Sequence, residues 1–203
     1  MKRLYLIRHC EPDPAAAGRC YGSLDFGLSD EGNVAAEALA TAFTDVRLDA
    51  VVSSPRRRTV ETAEPIARAA GVVVAIDERW RELDFGELEG LTYEEVERTR
   101  PELFRRWMET PTEVEFPGGE SYTGLRARVL DAAEELQGTC AVIAHGGPVR
   151  AVLAHALGMP AAAIFRLAQD YGAVNVVDVV GGEAVVRLVN GSSSALRGVL
   201  RAG

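Results

Sequence analysis

Three short apolar runs in this chain end in residues suited to gripping an anion. Leu4 to Ile7 stops at Arg8-His9, Asp49 to Ser53 runs into Ser54-Pro55-Arg56-Arg57-Arg58, and Ala141 to Ala144 stops at His145-Gly146-Gly147. Only three histidines occur in 203 residues, and two of them close apolar runs in this way. An imidazole can serve as nucleophile, base or donor, and a guanidinium fork matches phosphate oxygens. Brought together, these groups describe a site for a tetrahedral anion. His155 differs, because it falls in the middle of the helical pattern Val152-Leu153-Ala154-His155-Ala156-Leu157 and reads as structural.

The exit of the second run strengthens the case. Ser54 suits an N-cap and Pro55 a first helical residue, so a helix is predicted from there to about Ala70. A helix start presents unpaired N–H groups and roughly half a positive charge, a ready anion site. Spacing does not choose among Arg56, Arg57 and Arg58; it requires only that one or two of them face the site. Phosphoryl transfer also needs a proton donor. Glu82, Asp84, Glu87 and Glu89 crowd one short segment, and a carboxyl beside a bound phosphate has its pKa raised, as a general acid requires. Spacing does not say which of the four it is.

These residues need elements to hold them. Strands are expected at Leu4–Ile7, Asp49–Ser53, Val72–Ile76 and Ala141–Ala144, and as a hairpin of Val174–Val180 with Ala184–Val189 turned at Gly181-Gly182. Between them fall helical patterns: one capped by Ser29, one running to Ala70, and one opened by Gly147-Pro148 and ending near Leu157. Strands alternating with helices give an α/β fold, a three-layer sandwich whose mostly parallel central sheet is flanked by helices. Residues 91–136 break the rhythm. They carry two helical patterns around Phe116-Pro117-Gly118-Gly119 and read as a small helical cap insertion within one domain spanning 1–203. In such sheets ligands bind beyond the carboxyl ends of the strands, where Arg8-His9 and His145 stand.

Composition bounds the partners. Hydrophobic residues are 47% and charged residues 26%, ordinary for a globular chain. A net charge of −8 argues against nucleic acid or a membrane surface as partner, though a local arginine cluster can still set the field of a pocket. Only four apolar residues, Leu4 to Ile7, precede Arg8, too few for a signal peptide, and no later run approaches the ~20 of a membrane span. Cys10, Cys20 and Cys140 form no C-x-x-C pair, which fits a reducing compartment and a cytoplasmic protein. Oligomeric state is not legible.

The motifs resemble those of the histidine phosphatase superfamily, which includes cofactor-dependent phosphoglycerate mutases and many small phosphatases. The matching residues, in order, are Leu6-Ile7-Arg8-His9, Ser53-Ser54-Pro55 with Arg58 and Glu61-Thr62-Ala63, and Glu82-Leu83-Asp84-Phe85-Gly86 with Glu89-Gly90. Phe116-Pro117-Gly118-Gly119-Glu120-Ser121 and Ala144-His145-Gly146-Gly147 follow. The segment Gly18 to Asp25 (G-R-C-Y-G-S-L-D) resembles the alpha-ribazole phosphatase branch.

The resemblance implies His9 as nucleophile and phosphohistidine, with Arg8, Arg58 and His145 on the phosphoryl oxygens. It implies Glu82 as proton donor, and Gly146, Tyr21, Gly22 and Ser23 as substrate contacts. The leaving group would be met by the Cys20–Asp25 loop and by residues 116–122. It implies a small phosphorylated metabolite as substrate, alpha-ribazole 5′-phosphate among the candidates, and neither metal nor cofactor. Cys10 stands where this family usually has glycine, so the phosphate loop is expected to shift. Ala15 replaces a common asparagine, so one phosphate contact is expected to be lost.

Three other readings compete. A phosphoglycerate mutase shares the core motifs but carries a longer segment between acid and second histidine; here Glu82 to His145 is compact, which favours hydrolysis. A catalytically weak phospho-ligand binding protein, disabled by Cys10, would need neither the nucleophile nor the acid that this chain keeps. A metal site of His9, His145 and Glu82 lacks any metal-ligand spacing, and the arginines would repel a cation.

Overall fold

Apolar, largely β-branched runs form the centre of a six-stranded sheet. The computed structural model describes the backbone of residues 1–201 and the side chains of residues 1–199. The strands are β1 (Lys2–Arg8), β2 (Ala50–Ser53), β3 (Val74–Ile76), β4 (Thr139–Ala144), β5 (Val174–Val180) and β6 (Glu183–Gly191). Their order is β3-β2-β4-β1-β5-β6. The first four run parallel, β5 lies antiparallel to β1, and β6 antiparallel to β5. Gly181 and Gly182 both take positive φ, at 61° and 88°, which is what a two-residue hairpin turn requires.

Register levels the strand ends that matter. Arg8 pairs with Ala144 across β1 and β4, and Ser53 of β2 pairs with Ile143. His9, Ser54 and His145 therefore leave the sheet side by side, at its carboxyl edge.

Alternation along the strands then feeds two cores. Leu4, Leu6, Val142 and Ala144 point into one, covered by α5 (Tyr122–Glu135) and α6 (Gly146–Ala156). Tyr5, Ile7, Ala141 and Ile143 point into the other, covered by α1 (Asp30–Ala40) and α2 (Arg57–Ala70). The three expected layers are present. A smaller cluster of Cys20, Leu88, Val96, Trp107, Val114 and Phe116 lies beneath α3 (Tyr93–Thr99) and α4 (Pro101–Glu109). No helix among the described residues is long and apolar enough to cross a membrane.

Four local expectations need correction. First, α2 begins at Arg57 rather than Pro55, and Ser54 does not cap it. The Ser54 hydroxyl is engaged instead with His145 Nε2 at 2.8 Å. Second, β3 is shorter than Val72–Ile76. Gly71 takes a left-handed φ of 69° and the Val72 amide donates to Ala67, so Val72 closes α2 before the strand can start. Third, residues 91–136 hold three helices, because Pro101 ends α3 and opens α4. The last of them, α5, packs on α6 as part of the flanking layer, which confines the cap to α3 and α4. Finally, α7 (Ser193–Arg201), which the sequence reading did not anticipate, follows β6.

Candidate active site

His9 sits at the end of β1, 2% exposed, with its backbone amide donating to Ala144 O at 2.9 Å. Its Nδ1 lies 2.7 Å from the carbonyl oxygen of Cys10. A carbonyl only accepts, so that nitrogen carries the proton and Nε2 keeps the lone pair. Burial first, and then Arg58 and Arg8, hold the ring pKa well below the ordinary imidazole range, so His9 is neutral at physiological pH. His145 occupies the N-cap position of α6 and is equally buried. Burial, with Arg58 and His9 next, keeps it neutral as well. Its Nε2 shares a hydrogen bond of 2.8 Å with Ser54 Oγ, and its Nδ1 is a buried atom with no protein partner among the described residues.

The arginine question left open by spacing is answered by direction. Arg58 is fully buried and faces the histidines; its Nη1 donates to Leu24 O at 2.7 Å, and its Nη2 to Tyr21 O and Gly22 O at 3.1 and 3.2 Å. Its Nε has no partner among the described residues. Arg57 points outward to Glu61, and Arg56 lines a separate hollow on the far side of Glu82. Arg8 donates from Nη1 to Gln169 O at 2.5 Å, again with an unpartnered, buried Nε.

Among the four carboxylates, Glu82 alone reaches the cavity. Its oxygens accept from the amides of Leu83 at 2.9 Å and of Gly147, at the start of α6, at 3.2 Å. Asp84 accepts from Gly86, Glu87 pairs with Arg100, and Glu89 accepts from Ser23 and Phe85. Arg8, His9, Arg58, Glu82 and His145 thus line one cavity of about 290 Å³. Neutral imidazoles, guanidinium donors and a single carboxyl around one hollow can bind a phosphoryl group and move a proton beside it.

Over residues 4–192 the chain matches the family model for the histidine phosphatase superfamily (branch 1). The protein belongs to this superfamily. Phosphoserine phosphatase 1 of Hydrogenobacter thermophilus is 35% identical over 195 residues, covering 94% of this chain and 92% of the relative. Two solved structures give the same fold. A mycobacterial glucosyl-3-phosphoglycerate phosphatase in complex with inorganic phosphate has a TM-score of 0.84 at 27% identity, covering 95% of this chain and 99% of its own. The alpha-ribazole phosphatase of Shigella flexneri has a TM-score of 0.83 at 25% identity, covering 93% and 96%. This histidine phosphatase is a phosphoric monoester hydrolase.

Several expected contacts of the phosphatase need revision. Tyr21 and Gly22 line the cavity, but Ser23 and Gly146 do not. The Ser23 amide is held by Glu89 at 2.8 Å, and Gly146 is buried beneath Arg150. Residues 116–122 also stay away, because Phe116 is buried against Phe85 and Trp107. Phe85 itself, with Arg19, Tyr93 and Tyr171, forms the outer lining that the sequence reading missed. Tyr93 had a signal, since the Thr92–Glu95 capping box marks a helix start immediately after the acidic segment. Cys10 does not disturb the loop. Its φ is not in the left-handed region, its amide donates to Thr62 Oγ1 at 3.0 Å, and its side chain is buried, so no glycine is required. Ala15 lies outside the cavity, which Ala16 and Ala17 line instead. His155 is exposed on α6, away from the site.

Proposed function

We propose that this phosphatase hydrolyses a compact phosphomonoester in two steps through His9, without metal or cofactor. The observation that carries the reading is the anchoring of the His9 ring. Nδ1–H is tied to the Cys10 carbonyl, so the Nε2 lone pair is committed to the cavity. In the first step Nε2 attacks phosphorus while the ester P–O bond breaks in line, and the Glu82 carboxyl passes its proton to the departing oxygen. Arg8, Arg58 and the Nδ1–H of His145 take up the charge on the equatorial oxygens. The phosphorylated ring is cationic, and the Cys10 carbonyl stabilises it. In the second step the Glu82 carboxylate accepts a proton from water, whose oxygen attacks phosphorus. The N–P bond then breaks, its electron pair returns to Nε2, and phosphate departs.

The leaving group has the Arg19, Phe85 and Tyr93 side of the cavity to occupy. A volume of about 290 Å³ lies at the small end of the ~300–1,000 Å³ typical of ligand sites. A small substrate whose leaving group carries a carboxylate, such as phosphoserine, suits that size and the Arg19 cation. Alpha-ribazole 5′-phosphate is the second reading, favoured by the presence of Tyr21 and Gly22 in the lining. Three free, buried cysteines support a reducing, cytoplasmic setting for a one-domain enzyme.

Phosphate release should be measured over phosphoserine, glucosyl-3-phosphoglycerate, alpha-ribazole 5′-phosphate and p-nitrophenyl phosphate, with 3-phosphoglycerate watched for isomerisation. The expected result is hydrolysis fastest on the compact anionic ester, with His9→Ala slower by ~10³-fold or more and yielding no acid-labile phosphoenzyme. Labelled phosphoenzyme persisting in His9→Ala would refute the nucleophile.

A further inference from the structure

Two of the three arginines lining the cavity, Arg8 and Arg58, lie under tyrosine rings. The guanidinium carbon of Arg8 stands 4.0 Å from the ring centroid of Tyr171, and that of Arg58 stands 4.9 Å from the ring of Tyr21. The two phenol oxygens meet at 3.1 Å. An arch therefore runs from Arg8 through Tyr171 and Tyr21 to Arg58. Beside it lies His9, whose ring is 5.5 Å from that of Tyr171.

The two feet of the arch are anchored differently. Tyr21 belongs to a loop that Arg58 itself holds through the Tyr21 and Gly22 carbonyls. The segment Gln169-Asp170-Tyr171-Gly172 has supports of its own. Gln169 and Asn175, both buried, exchange two side-chain hydrogen bonds of 2.9 Å, and Asn175 Nδ2 donates to Leu6 O inside β1. Asn190 clasps Asp170 in both directions, at 2.7 and 2.9 Å, from a left-handed φ of 52° that asparagine tolerates better than most residues. The Gly172 amide donates to the His9 carbonyl. Buried amides are costly unless fully bonded, and here their bonds converge on four loop residues. Those residues grip Arg8 twice, through the Gln169 carbonyl and the Tyr171 ring.

We propose that Tyr171 is a positioning residue of the phosphate site, which holds the Arg8 guanidinium in its binding plane before substrate arrives. Its hydroxyl contact with Tyr21 joins it to the ring over Arg58. A long side chain fixed in advance loses less freedom when the anion binds. A partly desolvated cation over an aromatic face is held more firmly than an exposed one.

The inference rests on the reading of Arg8 and Arg58 as phosphoryl ligands, and a double-mutant cycle separates the two. Binding of inorganic phosphate is titrated calorimetrically, and p-nitrophenyl phosphate hydrolysis measured, for Tyr171→Leu, Tyr171→Phe, Arg8→Ala and Arg8→Ala with Tyr171→Leu. Tyr171 is 44% exposed, so its substitutions leave the fold intact, and a melting curve checks all four variants. Tyr171→Leu should weaken phosphate roughly three- to tenfold, with Tyr171→Phe recovering most of the loss because the ring remains. In the Arg8→Ala background Tyr171→Leu should cost nothing further. An unchanged affinity in Tyr171→Leu, or an equal loss in both backgrounds, overturns the positioning role. Undiminished phosphate binding in Arg8→Ala would instead overturn the assignment of Arg8 beneath it.

Discussion

The rings of His9 and His145 stand 5.2 Å apart, centroid to centroid, with their planes at 66°. They leave adjacent parallel strands one residue beyond the last paired position, so the sheet register itself sets their separation. Each ring is pinned by one nitrogen, His9 to a backbone carbonyl and His145 to the Ser54 hydroxyl. The opposite nitrogens are left free, and both rings line the cavity, where the proposed reaction uses one as nucleophile and the other as donor.

Both rings should stay neutral well into mild acid. Burial and the neighbouring arginines depress both pKa values below the ordinary 6.5. In the unfolded chain these histidines take up protons below about pH 6.5, while in the folded chain they do not. Across that window the unfolded state binds more protons, so stability is full above about 6.5 and is lost as pH falls toward the folded values. Nitrogen-15 NMR at pH 6 should find both imidazoles uncharged, with the His9 proton on Nδ1, and denaturant midpoints should drop from pH 7.5 to 5.5. A ring titrating near 6.5 in the ligand-free protein would contradict this.

Replacing Glu82 with Gln should separate substrates by their leaving groups. The amide can still accept from Leu83 or Gly147 but has no proton to deliver. Turnover of an alkyl phosphate should fall by ~10²–10⁴-fold, and that of p-nitrophenyl phosphate far less, because its phenolate departs unaided. Equal losses on the two substrates would mean that Glu82 acts through structure alone.

Gly22→Ala should damage both stability and turnover. A Cβ there would stand 1.8 Å from the Leu83 carbonyl oxygen and 3.0 Å from Glu89 Oε1, so the two backbones must separate. Overpacking of this kind costs about 1–3 kcal/mol, which in a chain of this size lowers Tm by several degrees. The Gly22 carbonyl also accepts from Arg58, so kcat/KM should fall more than the melting shift alone explains. A wild-type melting point would show that the loop tolerates the extra atom.

What could be read in advance was the set of strand ends. β1, β2 and β4 are short apolar runs ended by charged, polar or imidazole residues, and the Gly181-Gly182 turn has one natural conformation. The start of α2 was not legible, because Ser54 has two possible partners. A local amide is visible in the sequence, whereas an imidazole 91 residues away is not. The choice of Arg58 and of Glu82 came from resemblance to a family rather than from spacing. Their neighbours Arg57 and Glu87 are chemically equivalent and differ only in pointing outward. Tyr171 gave no signal beyond an aromatic in a loop, since its role depends on Arg8, which is 163 positions earlier by number and 4.0 Å away in space.

The central position of β1 has a consequence for how the enzyme is made. Residues 2–8 are translated well before the strands that flank them on either side, Thr139–Ala144 and Val174–Val180. His9 must wait at the end of an unpaired strand until both have been made. Nascent and truncated chains ending before Val180 should therefore be inert toward phosphomonoesters, and hydrolysis begins only once that strand has been added.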